Sequence, residues 1–348
     1  MKGELVIVAV GDIRSGQEDP VAMFMHTASV LRKADLTIGN LEGPACDRGQ
    51  PIPGKVEQGS RHLRSVPHVV PALASVGFDA VGLANNHAMD YSADGLLQTM
   101  ELLEKAGIAH AGGGRNLADA RRPSILERDG TKVALLSYTS VFPIAGFAAT
   151  SNTAGIATVR AVPSFRPSPR VFYEPGSPMI TMTAADPMEA QRMAEDIREA
   201  KRVADIVVLF MHWGVAGGYG RIVDYQKELG RLAIESGADL IIGHHAHQLL
   251  GMEVYKGKVI TYSVGDFAFD LWISYFGSES ILVKAYVREK AIQKVTFLPV
   301  TLDAKRCPHI LKMPEGMDVV RKLEKMSEEF SLVLTPEGDE VVIRGTKD

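Results

Sequence analysis

Four apolar runs in this chain each lead into residues able to bind a metal, and that coincidence restricts the fold more than any other feature. Leu5–Val10 is followed, through Gly11, by Asp12. Phe78–Leu83 is followed by Asn86 and His87, Ala204–Phe210 by His212, and Ala238–Ile242 by His244, His245 and His247. Short continuous apolar runs of this kind read as strands buried on both faces. Such strands build open α/β sheets, whose ligands bind beyond the carboxyl ends of the strands. Oxygen and imidazole donors at successive strand ends therefore predict an α/β protein with a metal centre on one rim.

The rest of the order agrees with that class. Helices are predicted from Asp19–Pro20 to Lys33, over Pro67–Ser75, Ala93–Lys105, Pro187–Val203 and Tyr225–Ser236, with further strands at Asp35–Ile38 and Lys132–Ser137. Residues 44–60 are rich in Gly, Pro and charge and read as a surface loop. Residues 142–186 break the rhythm with six prolines and with Arg160, Arg166 and Arg170. An insertion of that length is expected to overhang the metal rim, with those arginines as candidate substrate contacts. In the last third, Gly257–Ser263, Ser280–Glu289 and Ala291–Val300 are closely spaced and β-branched, as in antiparallel strands of a second sheet. Met317–Glu329 is a helix, and Gly338 turns a hairpin. At 348 residues the chain is expected to form one extended domain over 1–300, with 301–348 packed on it as a helix and hairpin.

Charge and cysteine content exclude several classes. With 38 basic and 42 acidic side chains the formal net charge is −4, which gives no basic surface for nucleic acid. Cys46 and Cys307 are too few for a disulfide framework. No apolar run reaches membrane-spanning length, and the first apolar segment lacks a following small-residue cleavage site, so a cytoplasmic location is expected. Gly112–Gly113–Gly114 lacks the spacing of a dinucleotide fingerprint, and no nucleophile elbow is present. The oligomeric state leaves no signature.

The candidate donors have distinct roles. Asp12 and Glu42 are hard oxygen ligands for a divalent ion. His245 and His247 are two apart, so in an extended segment both rings face one centre and His244 points away, as a structural or supporting residue. His212, His245 and Asn86 are expected within reach of one ion. Asp90 lies three residues beyond His87 and can accept the second imidazole N–H, raising the ring's pKa and making His87 a general acid. Arg14, Arg61 and Arg64 are candidates to bind an anionic substrate. Asp266 ends a strand near the same rim. The mixed nitrogen and oxygen donors suit one or two ions of Mn, Fe or Zn.

Six segments taken together resemble the CapA family of capsule and poly-γ-glutamate synthesis proteins. They are Val10–Ile13, Asn40–Glu42, Leu83–Tyr91, His212–Gly214, Gly243–His247 and Tyr262–Phe267, in the same order over roughly residues 5–300. That family looks like a branch of the calcineurin-like metallophosphoesterases, which implies a four-layer αββα sandwich with two packed mixed sheets. Carried over, the resemblance implies Asp12, Glu42 and His247 around one ion. It implies Glu42, Asn86, His212 and His245 around the other, with Glu42 bridging and His87 as the acid. Three departures stand out. Phosphoesterases of this type have histidine where this chain has Arg14, which leaves the first site a ligand short, and they bridge with aspartate where it has Glu42. CapA-like chains usually have asparagine at the position of Asp266. Many relatives also carry an N-terminal membrane anchor that is not visible here. Arg14 is donor-only, so it is expected to face the substrate anion or pair with Glu42 or Asp266. The leading functional reading is a hydrolase that uses metal-activated water on a small or polymeric anionic substrate, most simply a phosphate ester. Amide (γ-glutamyl) or lactone hydrolysis, and a non-catalytic accessory role in polymer handling, are the alternatives.

Overall fold

The computed structural model describes residues 3–346 apart from 58, 144, 219, 272 and 275. Its strands form two large mixed sheets. In the first, Leu5–Arg14 is central. It runs parallel to Leu36–Leu41 on one side and antiparallel to Glu279–Arg288 on the other, and its last residues pair in parallel with Asp266–Phe269. In the second, Ile206–His212 lies between Thr131–Thr139 and Leu240–His244, parallel to both.

Three apolar cores position these layers. One, with Ile7, Ile38, Val208, Leu240 and Phe297, lies between the two sheets. A second packs the outer face of the first sheet against the helices Val69–Val76 and Ser92–Ala106. A third packs the outer face of the second sheet against Pro187–Val203 and Asp224–Ser236. Asp186 starts the former of those helices by accepting from the amides of Met188 and Glu189, and Pro187 takes the first position, where no amide is needed. The C-terminal strands Leu332–Glu337 and Glu340–Gly345 extend the first sheet through Ala291–Leu302, and Val319, Val320 and Leu323 of helix Met317–Met326 enter the inter-sheet core. No helix among the described residues is long and apolar enough to cross a membrane.

Three local differences from the sequence reading bear on the site. The ligand-bearing strands run further than their apolar runs. Asp12 pairs with Asn40 and Asp266, and His212 pairs with Thr139 and His244, inside the ladders. Burial makes the backbone hydrogen bonds continue until a turn can end them. The predicted first helix is divided into a 3-10 turn, Pro20–Phe24, and a short helix, Ala28–Lys33. Finally, the insertion carries strands of its own. Its hairpin, Ala161–Arg166 with Ile180–Ala185, leans on helix Asp224–Ser236, where Ala185 N–H donates to Glu228 at 3.0 Å. Arg160 is bound to Glu189, and Arg166 and Arg170 are exposed on the hairpin arm.

Candidate metal centre

Gly11 brings the two sides of the site together. A Cβ there would lie 1.9 Å from the Gly265 carbonyl oxygen, so only glycine lets Leu5–Arg14 cross close to Asp266. Gly243 does the same in the second sheet, where a Cβ would meet the Tyr262 carbonyl at 2.2 Å. Beyond these glycines the donors converge. Ligand atoms of Asp12, Glu42 and His247 all lie within 4.8 Å of one another.

Glu42 is the hub. Its Oε1 is 3.7 Å from His247 Nε2, 3.8 Å from His212 Nε2 and 3.9 Å from His87 Nε2. The side chain is fully buried, yet neither carboxylate oxygen has a hydrogen-bond partner. Leaving such a group unpaired is costly, and burial accordingly drives the Glu42 carboxyl pKa well above its ordinary value. Asp12 is raised by burial as well. A divalent cation between these residues would satisfy the orphaned oxygens and offset the desolvation, so the donor set fits a metal.

A second donor set also converges on Glu42. His212 Nε2 is 2.7 Å from Asn86 Oδ1, and the His212 and His245 rings are 4.9 Å apart. Burial holds His212 well below its normal pKa and His245 down at about 3, so both are neutral donors at neutral pH. His245 Nδ1 is buried and unpartnered.

The His-x-His pair is brought together by a turn, not by strand alternation. His245 has φ 90° and His247 φ 53°, so this segment is left-handed and not extended. Its strain is offset where His245 N–H donates to Asp12 Oδ2 at 3.2 Å and Gly277 N–H to the His247 carbonyl at 2.7 Å. His244 alone keeps the strand direction. Its ring is buried against Phe210, with Nε2 3.3 Å from the Val10 carbonyl.

Around the donors lies a further ring of residues, among which Asp266 was expected and Asn40 and Asn85 were not. Asn40 donates to Asp12 Oδ1 at 2.7 Å. Asn85 accepts from the amides of Gly43 and His87 and donates to the Leu41 carbonyl, tying the Glu42 turn to the His87 turn. Asp266 accepts from His247 Nδ1 at 2.8 Å and is ion-paired on its other oxygen with Arg306. Burial alone would lower the His247 pKa, but Asp266, Glu42 and Asp12 outweigh it and hold the ring at about 9. A metal bound through His247 at neutral pH would therefore have to displace a proton from it.

His87 differs from its expected state. Its Nδ1 is 2.6 Å from Asp90 Oδ2, as the spacing predicted. The ring's pKa is nevertheless lowered, to about 4, because burial outweighs Asp90 and Lys55 adds an opposing positive charge. Lys55 comes from the presumed surface loop. It is buried, ion-paired with Asp90, and donates to the Asn86 carbonyl at 2.8 Å. Phe147 of the insertion lies against it, with the ammonium 5.5 Å from the ring centre.

The three arginines separate. Arg14 is ion-paired with Asp270, not with Glu42 or Asp266, and Asp270 also accepts from Gly16 N–H at 2.7 Å. Arg64 lies over the Tyr91 ring, 4.7 Å from its centre. Arg61 lines the cleft, of about 350 Å³, that opens onto Asn86, His87, His245 and His247. No described residue of the 142–186 insertion lines it. Arg61→Ala is expected to raise KM for an anionic substrate by about tenfold, the value of one charge-assisted hydrogen bond. Arg14→Ala should leave KM within about twofold, because its charge is already spent on Asp270. Steady-state kinetics of the two variants checks both.

Comparison with known proteins adds the following. The family model described as bacterial capsule synthesis protein PGA_cap matches residues 6–271. The PGA biosynthesis protein CapA of Bacillus subtilis is 30% identical over 329 residues, covering 91% of this chain and 77% of that protein. The capsule biosynthesis protein CapA of Bacillus anthracis is 28% identical over 331 residues, 92% of this chain and 73% of that one. A probable polyglutamine synthesis accessory protein of Mycobacterium tuberculosis is 30% identical over 203 residues, 58% of this chain and 48% of its own length.

Proposed function

The chain belongs to the bacterial capsule synthesis PGA_cap family, a metallophosphoesterase-like branch, and on that premise we propose that it is a metal-dependent hydrolase of a phosphate ester. The observation that carries the reading is the fully buried, unpartnered Glu42 carboxylate within 4 Å of three imidazole nitrogens. Asp12, Glu42 and His247 would hold one divalent ion, and Glu42, Asn86, His212 and His245 a second, within a four-layer αββα arrangement. Residues 301–348 would form part of the same unit. Bound there, Mn, Fe or Zn supplies Lewis-acid polarisation of the phosphoryl group and lowers the pKa of water.

The chain's own residues would do the rest. Arg61 meets the substrate anion at the mouth of the cleft. His87 faces the centre through Nε2 while Asp90 fixes its other nitrogen. In the resting site the ring is neutral. A bound anion beside it favours the protonated form, which can then donate to the leaving oxygen. Lys55 balances the Asp90 charge, so the pair orients His87 without adding a net negative charge to the site. An anionic substrate, small or polymeric, would suit the PGA and capsule biosynthesis for which the relatives are named.

The test is turnover of phosphomonoesters and phosphodiesters by chelator-treated protein before and after Mn²⁺ or Zn²⁺ is restored. Metal-dependent turnover is expected. A non-catalytic accessory role, the one for which the mycobacterial relative is named, predicts metal uptake with no turnover of any ester. Cleavage of a γ-glutamyl amide or a lactone in place of the esters would reassign the bond.

A further inference from the structure

Resting on the phosphoester reading, we propose that the substrate is a small amphiphile, a phosphoryl head attached to an apolar group, and not a long polyanion. The cleft is chemically mixed. Its lining combines the polar Asn86, His87, His245 and His247 with the apolar Leu63, Leu271, Ile273 and Phe276. The apolar residues form one packed cluster with Phe269.

That cluster is registered to the reacting groups. Phe276 stacks on the ring of His247, centroids 4.0 Å apart and planes 21° apart. Gly277 N–H, next in sequence, donates to the His247 carbonyl. Leu63 N–H donates to Asp90 Oδ2 at 2.6 Å, the same oxygen that holds His87. Phe276 and Leu63 are thus fixed directly beside residues that would serve a phosphoryl head.

The charges of the cleft point the same way. Arg61 is the sole Lys or Arg among the described lining residues. Arg14 is matched by Asp270 and Lys55 by Asp90, and Arg64, over the Tyr91 ring, is not among the lining residues. A polyanion needs a cation for each charge it brings into a confined site, whereas a single phosphoryl head needs the metal centre and one guanidinium. A cleft of about 350 Å³ also matches a ligand of limited size.

The test is calorimetric titration of the Mn²⁺-loaded protein with a series of phosphonates, which cannot be hydrolysed: methyl, butyl, hexyl and phenyl. Each buried methylene contributes roughly fourfold in affinity. Affinity is expected to climb by more than tenfold from methyl to hexyl or phenyl. Leu271→Asp and Ile273→Asp, each checked for an unchanged melting temperature, should flatten the climb. A γ-glutamate oligomer should compete no better than methylphosphonate. Equal affinity along the series, or stronger competition by the oligomer, overturns the amphiphile proposal and leaves the phosphoester reading in place. Graded binding with no turnover of phenyl phosphate does the reverse. Absence of binding by every phosphonate overturns both.

Discussion

His87→Asn is expected to keep its metal and lose turnover by roughly 10²–10⁴-fold, the usual contribution of a positioned acid or base. Asparagine preserves a polar group next to Asp90 but cannot carry a proton to the leaving oxygen. The His87 Nε2 lies 3.9 Å from Glu42 Oε1, close enough to serve the same centre, while its Nδ1 is taken by Asp90. Metal content measured beside kcat separates a proton carrier from a ligand. Loss of metal together with activity would make His87 a ligand. Unchanged kcat would leave it with no part in proton transfer. An ester whose leaving group needs no protonation should recover most of the lost rate.

Arg306→Met is expected to cost about 3–5 kcal/mol of stability, the price of leaving a buried carboxylate without its cation. The guanidinium of Arg306 is ion-paired with Asp266 and donates to the carbonyls of Gly277 at 2.8 Å and Phe269 at 3.4 Å, so one side chain fastens the strand Asp266–Phe269 to the Gly277 segment behind His247. Asp266 is fully buried beside it. Adding Asp266→Asn should restore much of the loss, because asparagine removes the stranded charge yet still accepts from His247 Nδ1. Urea unfolding of the native chain, both single variants and the double variant checks this. An Arg306→Met loss below about 1 kcal/mol, or strictly additive losses in the pair, would mean that the two charges are not coupled.

The pair also shows where sequence reading stops. Asp12, Glu42, Asn86, His212 and the GHHAH segment were legible because each closes or follows a buried apolar run, and strand ends on one rim share a location whatever the loops do. Arg306, Asp270 and Lys55 follow no such rule. Arg306 is 40 positions from Asp266, and Asp270 is 256 from Arg14. Neither hydrophobic period nor motif spacing encodes which cation will neutralise which buried carboxylate, since that depends on how distant loops pack. Lys55 was hidden for a related reason. Its Gly- and Pro-rich surroundings look solvent-exposed, and the loop folds inward because its ammonium satisfies Asp90. The His245–Ala246–His247 turn was misjudged because alternation holds in a strand, and the strand ends one residue earlier, at His244. For the fold, the buried parallel strands and most helices followed from apolar periodicity, but Glu279–Arg288 and Ala291–Leu302, expected in a second sheet, join the first beside Leu5–Arg14, because periodicity marks a strand and not its partner. The course of the 142–186 insertion did not follow either, because a proline-rich segment has no period from which to read a direction.

Metal titration of chelator-treated protein, compared between the native chain and Glu42→Gln, tests the metal centre most directly. Glutamine keeps the size of the side chain and removes the charge shared by both donor sets. The predicted result is saturable uptake of one or two Mn²⁺ or Zn²⁺ per native chain with release of a proton, weakened more than about a hundredfold in the variant. Absence of saturable binding by the native chain, or equal binding by both proteins, would contradict it.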